Sequence, residues 1–368
     1  MIKKALSAAA LLLLTTSFSF AQVGITSVPF LQIEPDSRAA GMGNTGVAIA
    51  DNASAVFWNP AGLAYQKGNQ VSITHSEWLP QFNADLFYDY LVGKYHMKDI
   101  GTFGGHITYL NLGEQLRTTE DGLEQGRFNS YELAAGISYG LQLNKNWSLG
   151  TGFRFIYSSL AEGSVGEQNI NPGSSIGVDL ATMYKSDSFS FIGNDANISA
   201  GLNVSNIGPG VHYTDNAQKD PLPTMFRIGW SFNTELDDNG IHKLTIANDI
   251  SKVMARLDSE GKPQGVVNSL FSSWDSFTRS TGGGGEVTLS LPEQLMVATG
   301  VEYWYNDLFA VRGGYYYEDP NNGDRQYMTL GAGLRYKFLG VDFSYINTLG
   351  DENHPLANTT RFGLLLNF

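Results

Sequence analysis

The sequence predicts an all-β fold, a transmembrane antiparallel β-barrel of about fourteen strands, on three observations. Segments of roughly ten residues alternate apolar and polar side chains with period two. Gly 42, Tyr 18 and Phe 21 accompany only 16% charged residues, while the mean hydropathy of -0.16 is too low for a helical membrane protein. The final stretch, Thr360 to Phe368, puts Phe362, Leu364, Leu366 and Phe368 on one side and ends on an aromatic, as outer-membrane barrels do.

At the N-terminus, Lys3 and Lys4 precede the apolar run Ala5 to Leu14, and Ser19-Phe20-Ala21 offers small residues for cleavage before Gln22. Residues 1–21 therefore read as a secretory signal peptide, too short to cross a membrane as a helix. Cleavage removes two lysines and no acid, taking the net charge from -13 to -15. An acidic chain of this kind is not built for nucleic acid. With Cys 0, a lipoprotein anchor and a disulfide scaffold are both excluded. The expected location is the outer membrane of a Gram-negative bacterium, with both termini periplasmic.

Residues 22–66 are too rich in Gly, Ala and Asn for lipid-facing strand, and their apolar content favours a packed segment over the alternative, a disordered periplasmic tail. They are expected to fold into the lumen as a plug or hatch, ahead of a barrel over 67–368. Strands follow near 70–79, 86–97, 101–112, 129–143, 146–158, 174–185, 196–205, 224–233, 242–250, 293–305, 308–317, 325–338, 341–348 and 360–368. Connections after even-numbered strands are mostly short (98–100, 144–145, 306–307, 339–340). Those after odd-numbered strands are longer (113–128, 159–173, 206–223, 251–292), the asymmetry of periplasmic turns and outer loops.

Within the strands, charges take the face opposite the apolar one. Glu132, Arg154, Glu302, Arg312, Arg335, Lys337, Asp342 and Arg361 are expected to point into the lumen. This mixed set suits a self-paired network better than a greasy channel. Glycines on the same face read as room for side chains from across the barrel. A secreted β-sandwich uses the same alternation, but these strands exceed the typical soluble length.

In the loop 251–292, Val266, Val267, Leu270, Phe271, Trp274 and Phe277 recur at helical spacing, with Asn268, Ser269, Ser272 and Ser273 on the other side. Gly282 to Gly285 read as a hinge. An exposed apolar helix wants a partner, a membrane surface or the barrel mouth. Val267, Leu270, Phe271, Trp274 and Phe277 are the candidate partner-binding residues.

Two motif matches carry no chemistry. Gly41 to Gly46 satisfies G-x-G-x-x-G without a βαβ unit around it, and Gly136 to Gly140 satisfies G-x-S-x-G inside a regular strand. The six histidines show no metal-ligand spacing. No catalytic residue, metal or cofactor is expected.

The stretch Asp51 to Leu63, with Asn59-Pro60-Ala61 near its end, resembles the N-terminal hatch of the FadL family of fourteen-stranded outer-membrane transporters for fatty acids and aromatic compounds. The run Val28 to Gly43, the strands at Gly300 to Tyr303 and Phe309 to Tyr315, and the closing Asn353 to Phe362 make the chain more similar to the FadL-like PorV/PorQ family of the type IX secretion system. Gly62-Leu63 after Ala61 departs from the Lys that PorV-type chains often carry there. The resemblance implies an outer-membrane component of type IX secretion without enzymatic activity. It implies binding of cargo that bears a C-terminal secretion domain at the SprA/Sov-type translocon barrel, then transfer to the PorU-type attachment complex. The alternative it leaves is a FadL-type transporter of hydrophobic compounds.

Overall fold

The computed structural model describes residues 26–82, 84–118, 123–161, 163–165, 168–214, 219–258, 260, 262–280, 285–349 and 354–368. The expected signal peptide and most of the glycine run 282–285 lie outside the described residues. Seven strands make one half of the wall: β1 (Gln70–Glu77), β2 (Phe87–Met97), β3 (Gly101–Thr118), β4 (Glu124–Gln142), β5 (Trp147–Ser159), β6 (Gly173–Lys185) and β7 (Asn194–Ile207). Seven more complete it: β8 (Met225–Glu235), β9 (His242–Val253), β10 (Met296–Tyr305), β11 (Phe309–Tyr317), β12 (Gln326–Tyr336), β13 (Leu339–Thr348) and β14 (Thr360–Asn367). Each runs antiparallel to the next, and β14 pairs with β1 from Gln70↔Asn367 to Ser76↔Arg361. The sheet is closed, so no edge is left along the wall.

Alternation decides what each face meets. Phe153, Phe155, Ile137, Leu330 and Phe362 point outward and are exposed, while their neighbours Arg154, Ser138 and Arg361 point inward and are buried, as is Glu132. On the outward face, rings at His75, Phe87, Tyr109, Tyr131 and Tyr157 follow one another at 5.8–6.0 Å across β1 to β5. Phe103 with Tyr139, and Trp147 with Tyr184, mark the other rim of the same wall. Tyr131 and Tyr139 on β4 thus bracket about 27 Å of tilted strand, the span of an apolar band between two aromatic girdles. Among the described residues, no helix is long and apolar enough to cross a membrane.

Three expectations need correction. The connection 113–128 is mostly strand: β3 runs to Thr118 and β4 starts at Glu124, with a register shift after Asn111. Glu114, Gln115 and Leu116 are all exposed there, so the stretch carries no period-two apolar signal. Lys337 is not a lumen residue. It is exposed at φ 54 in the turn Lys337–Phe338, and the tight turn comes there rather than at 339–340. The helical pattern of 266–277 is a helix only over Val266–Ser272, and Phe277 opens a hairpin strand, Phe277–Ser280 against Glu286–Leu289. The first described residues of the N-terminal segment lie at the loop end of the barrel, where the Ser27 amide donates to Pro221 O at 2.9 Å. Val28, Phe30 and Leu31 hold it there by burial in one apolar cluster with Val211 and Leu222.

From Ser27 to Gln66 the chain is irregular, with short helices α1 (Ser37–Ala40) and α2 (Ala55–Trp58) and a 3-10 turn at Pro60–Tyr65. It meets every strand of the ring. Successive contacts involve Gln70, Tyr88, Thr102, Gly140, Ser148, Thr182 and Asn203 on β1 to β7. They continue through Ser231, Asp249, Glu302, Gly314 and Thr329 on β8 to β12. Helix α1 packs on β13, and Ser37 sits against Gly363 on β14. A segment that touches all fourteen walls of a closed ring lies inside it.

Candidate functional site: the filled interior and the outer loop

Inward glycines accommodate this segment, not side chains from the opposite wall as alternation alone suggests. A Cβ at Gly104 would collide with Val56, at Gly150 with Ala61, at Gly201 with Asn59 and Val47, at Gly300 with Met42 and at Gly314 with Gly43. Several of these clashes are with backbone, which cannot step aside as a side chain can.

Asn59, Pro60 and Ala61 are buried at the centre of the packing. Asn59 caps the 3-10 turn by accepting from the Ala61 amide at 3.1 Å, and its Nδ2 donates to Val47 O at 3.0 Å and Thr182 O at 3.2 Å. Pro60 fits the first position of the turn because it has no N–H to satisfy. Ser148 of β5 donates to Ala61 O at 2.8 Å, and Asn203 of β7 donates to Trp58 O at 3.0 Å. The motif therefore fastens the segment to β5, β6 and β7.

On the opposite side the fastening is ionic. Arg38 of α1 donates to both oxygens of Glu302, at 2.9 and 2.7 Å, and also pairs with Asp51. Arg312 donates to Glu302 at 2.6 Å and to Asp342 at 2.8 Å, and Arg335 reaches the other oxygen of Asp342 at 2.6 Å. Asp51, Arg38, Glu302, Arg312, Asp342 and Arg335 thus form one chain of alternating charge joining the segment to β10–β13. Arg312 and Arg335 also lie 5.5 and 5.4 Å from the ring of Trp304. Within the segment, burial pushes the Asp36 carboxyl above its ordinary value, against the pull of the Ala39 N–H, the Trp58 indole N–H and Arg38.

The other sequence-nominated charges do not join this chain. Arg154 pairs with Asp179 across β5 and β6, and Glu132 accepts from Ser158 at 2.7 Å. Arg361 is buried, and among the described residues its Nε and one terminal nitrogen have no hydrogen-bond partner. Sequence reasoning missed Arg38, Asp51, Asp179, Arg227 and Asp249. Asp249 accepts from the Gly46 and Val47 amides at 2.7 and 2.9 Å, and Arg227 lies 5.2 Å from the Phe57 ring. Asp179 between Val178 and Leu180, and Arg227 between Phe226 and Ile228, carry the same charge-between-apolars signal that found Arg154.

At the loop end, the chain after β9 folds down over the outward face of the wall. Trp274 packs edge-on against outward-facing Phe226 with centroids 5.0 Å apart and donates to Leu270 O at 3.0 Å. Arg256 donates to Ser272 O at 3.1 Å and Ser276 O at 3.3 Å and stacks 4.9 Å from the Phe277 ring. Helix α3 (Val266–Ser272) is inverted: Ser269 and the following Ser273 are buried, whereas Val267 and Phe271 are 63% and 78% exposed. Leu270 is half-buried. The five nominated residues thus separate into an outward pair, Val267 and Phe271, and three that also hold the loop to the wall or to itself.

Among the described residues, two clefts between the segment and the wall each have about 10 Å³, room for one water. Among the described residues no cluster of His, Asp or Glu could hold a metal ion.

A closed fourteen-stranded antiparallel barrel, apolar outside and filled by its own N-terminal segment, defines a transmembrane β-barrel of the outer-membrane class. A family model for the type IX secretion system protein PorV matches residues 19–258, and the chain belongs to that family. No curated protein matches the sequence. Solved structures similar in fold include the Pseudomonas putida toluene transporter TodX (13% identity, 91% of this chain and 99% of that one, TM-score 0.48). The Ralstonia pickettii toluene transporter TbuX is similar at 15% identity, over 91% and 99% of the two chains, with TM-score 0.48. A Pseudomonas aeruginosa FadL homologue is similar at 13% identity, over 91% and 98%, with TM-score 0.43.

Proposed function

We propose that this outer-membrane protein is the type IX secretion component that receives cargo bearing a C-terminal secretion domain at the SprA/Sov-type translocon. It then carries that cargo within the membrane to the PorU-type attachment complex. Family membership supplies the system. The observation that supports the mechanistic part is the N-terminal segment packed against all fourteen strands, with about 10 Å³ in each of the two clefts beside it. A FadL-type transporter of hydrophobic compounds needs an apolar pocket of about 300 Å³ or more. A shuttle instead needs a sealed lumen, a lipid-facing wall and a fixed gripping surface at the loop end, taken as the cell surface. It needs no cofactor and does no chemistry.

The gripping surface in this reading is the loop after β9. Val267 and Phe271 project while Leu270, Trp274 and Phe277 keep the helix rigid, so little ordering entropy is lost on binding. Replacing Phe271 and Trp274 with Asp should leave a folded barrel that no longer co-purifies with translocon or cargo. Undiminished co-purification of both would refute the assignment. A gentle-detergent pull-down that returns a lone barrel retaining fatty acid or aromatic compounds would instead establish transport.

A further inference from the structure

The connection between β6 and β7, at the turn end, is unlike the other turns. Pairing of β7 with β8 ends at Ala196↔Thr234, yet β7 continues its own hairpin through Ala196↔Phe189 and Asp195↔Ser190 to Asn194↔Phe191. The tip, Ile192–Gly193, therefore stands about 10 Å of strand beyond the neighbouring pairing. Phe189, Ser190 and Phe191 are all exposed, so neither face has barrel behind it.

Two features of this finger are unfavourable in water. Ile192 is 86% exposed, and it sits at φ 53. A β-branched residue in the left-handed region is strained where Asn or Gly costs little. A solvent-facing turn gains nothing from that choice. The apolar side of the finger is also not an isolated patch. Phe191 meets Phe232 edge-on at 5.1 Å, and Phe232 lies on the outward face of β8 with Ile228 and Trp230. Phe189 and Phe191 thus prolong the lipid-facing surface of β7 and β8 beyond the rim marked by Trp147 and Tyr184.

We propose that the Phe189–Ala196 hairpin is a lipid-anchoring finger, its Phe189, Phe191 and Ile192 side chains seated at the headgroup–acyl boundary of the leaflet on the turn side. The occupant is bilayer, because the apolar face is continuous with the wall that bilayer already covers. The anchor lies on one sector of the ring, so it fixes the depth of the barrel and its tilt from the membrane normal. For a protein that must present one outer loop to successive partners while moving laterally, a fixed attitude keeps that loop at constant height.

The chain has Cys 0, so single cysteines report without background. Ile192→Cys carrying an environment-sensitive fluorophore is compared, in proteoliposomes containing no other protein, with Ile137→Cys in the lipid-facing wall and Asp238→Cys in the exposed β8–β9 turn. Nitroxide-labelled lipids should quench the Ile192 site strongly, as they do the Ile137 site, while aqueous iodide quenches only the Asp238 site. Iodide quenching at Ile192 equal to that at Asp238, with Ile137 still lipid-quenched, overturns the proposal and marks the tip as water-exposed or reserved for a protein. The Ile137 readout separates that outcome from failure of the barrel to insert.

Discussion

The two sides of the N-terminal segment are held by different physics. Against β3–β7, Val56, Trp58, Ala61 and Leu63 bury in one apolar cluster with Leu110, Ala134, Ala181 and Met183, at contacts that only wall glycines permit. Against β10–β13 the fastening is the charge chain through Arg38, Glu302, Arg312 and Asp342. Buried apolar side chains contribute about 1.5–3 kcal/mol each, whereas a buried ion network contributes little net stability once desolvation is counted. Breaking such a network is nevertheless expensive, because a charge is left unpaired. The apolar side therefore supplies affinity between segment and wall, and the ionic side fixes where the segment sits.

The sharpest way to break this division is at Gly150. A side chain there drives directly into the Pro60 and Ala61 backbone, which has no rotamer to yield. Gly150→Val should give the largest effect: loss of the heat-modifiable folded band on gels, or a folded barrel whose segment is expelled and which conducts ions in planar bilayers. A sealed, stable Gly150→Val barrel would mean that the apolar contacts are incidental.

Glu302→Gln tests the other side. It leaves Arg38 and Arg312 without their shared carboxylate, and should cost about 3–5 kcal/mol in urea unfolding. Because the apolar side is intact, the segment should remain inside and conductance should stay low. High conductance with little loss of stability would reverse the roles assigned to the two sides.

Sequence legibility divides along the same line. Single charges flanked by apolar residues, such as Glu132, Arg154 and Glu302, carry their own address, because period two fixes the face. So do the strands, and β10 to β14 were legible almost residue by residue. The partners of those charges were not. Arg38 and Asp51 lie in irregular chain with no period, and nothing local ties Arg38 to Glu302 across 264 residues. Wall glycines were visible, but what fills the space they leave depends on backbone packing, to which a one-dimensional pattern is blind. The α3 helix illustrates the limit further. Its apolar residues form a stripe in the sequence, but propensity cannot say that Arg256, holding Ser272 O and Ser276 O, turns the serines inward.

The smallest effect sharpens the comparison from within the apolar side. Asn59 is the segment's own side-chain contribution to the polar contacts in that packing, and its side chain bonds to backbone: Ala61 N, Val47 O and Thr182 O. Asn59→Ala deletes the side chain and leaves the buried Ala61 amide and Val47 carbonyl without partners, which costs about 1–3 kcal/mol per orphaned group. The neighbouring contacts of Leu63 and Val56 survive. The variant should therefore stay folded and sealed, with a lower midpoint in urea than the parent. Asn59→Asp should do worse than Ala, because it removes the donor to Val47 O and Thr182 O and adds a buried charge. If Ala and Asp were equally mild, the segment at β5–β7 would be held by shape alone, and the Asn-Pro-Ala motif would be a turn signal rather than a fastening.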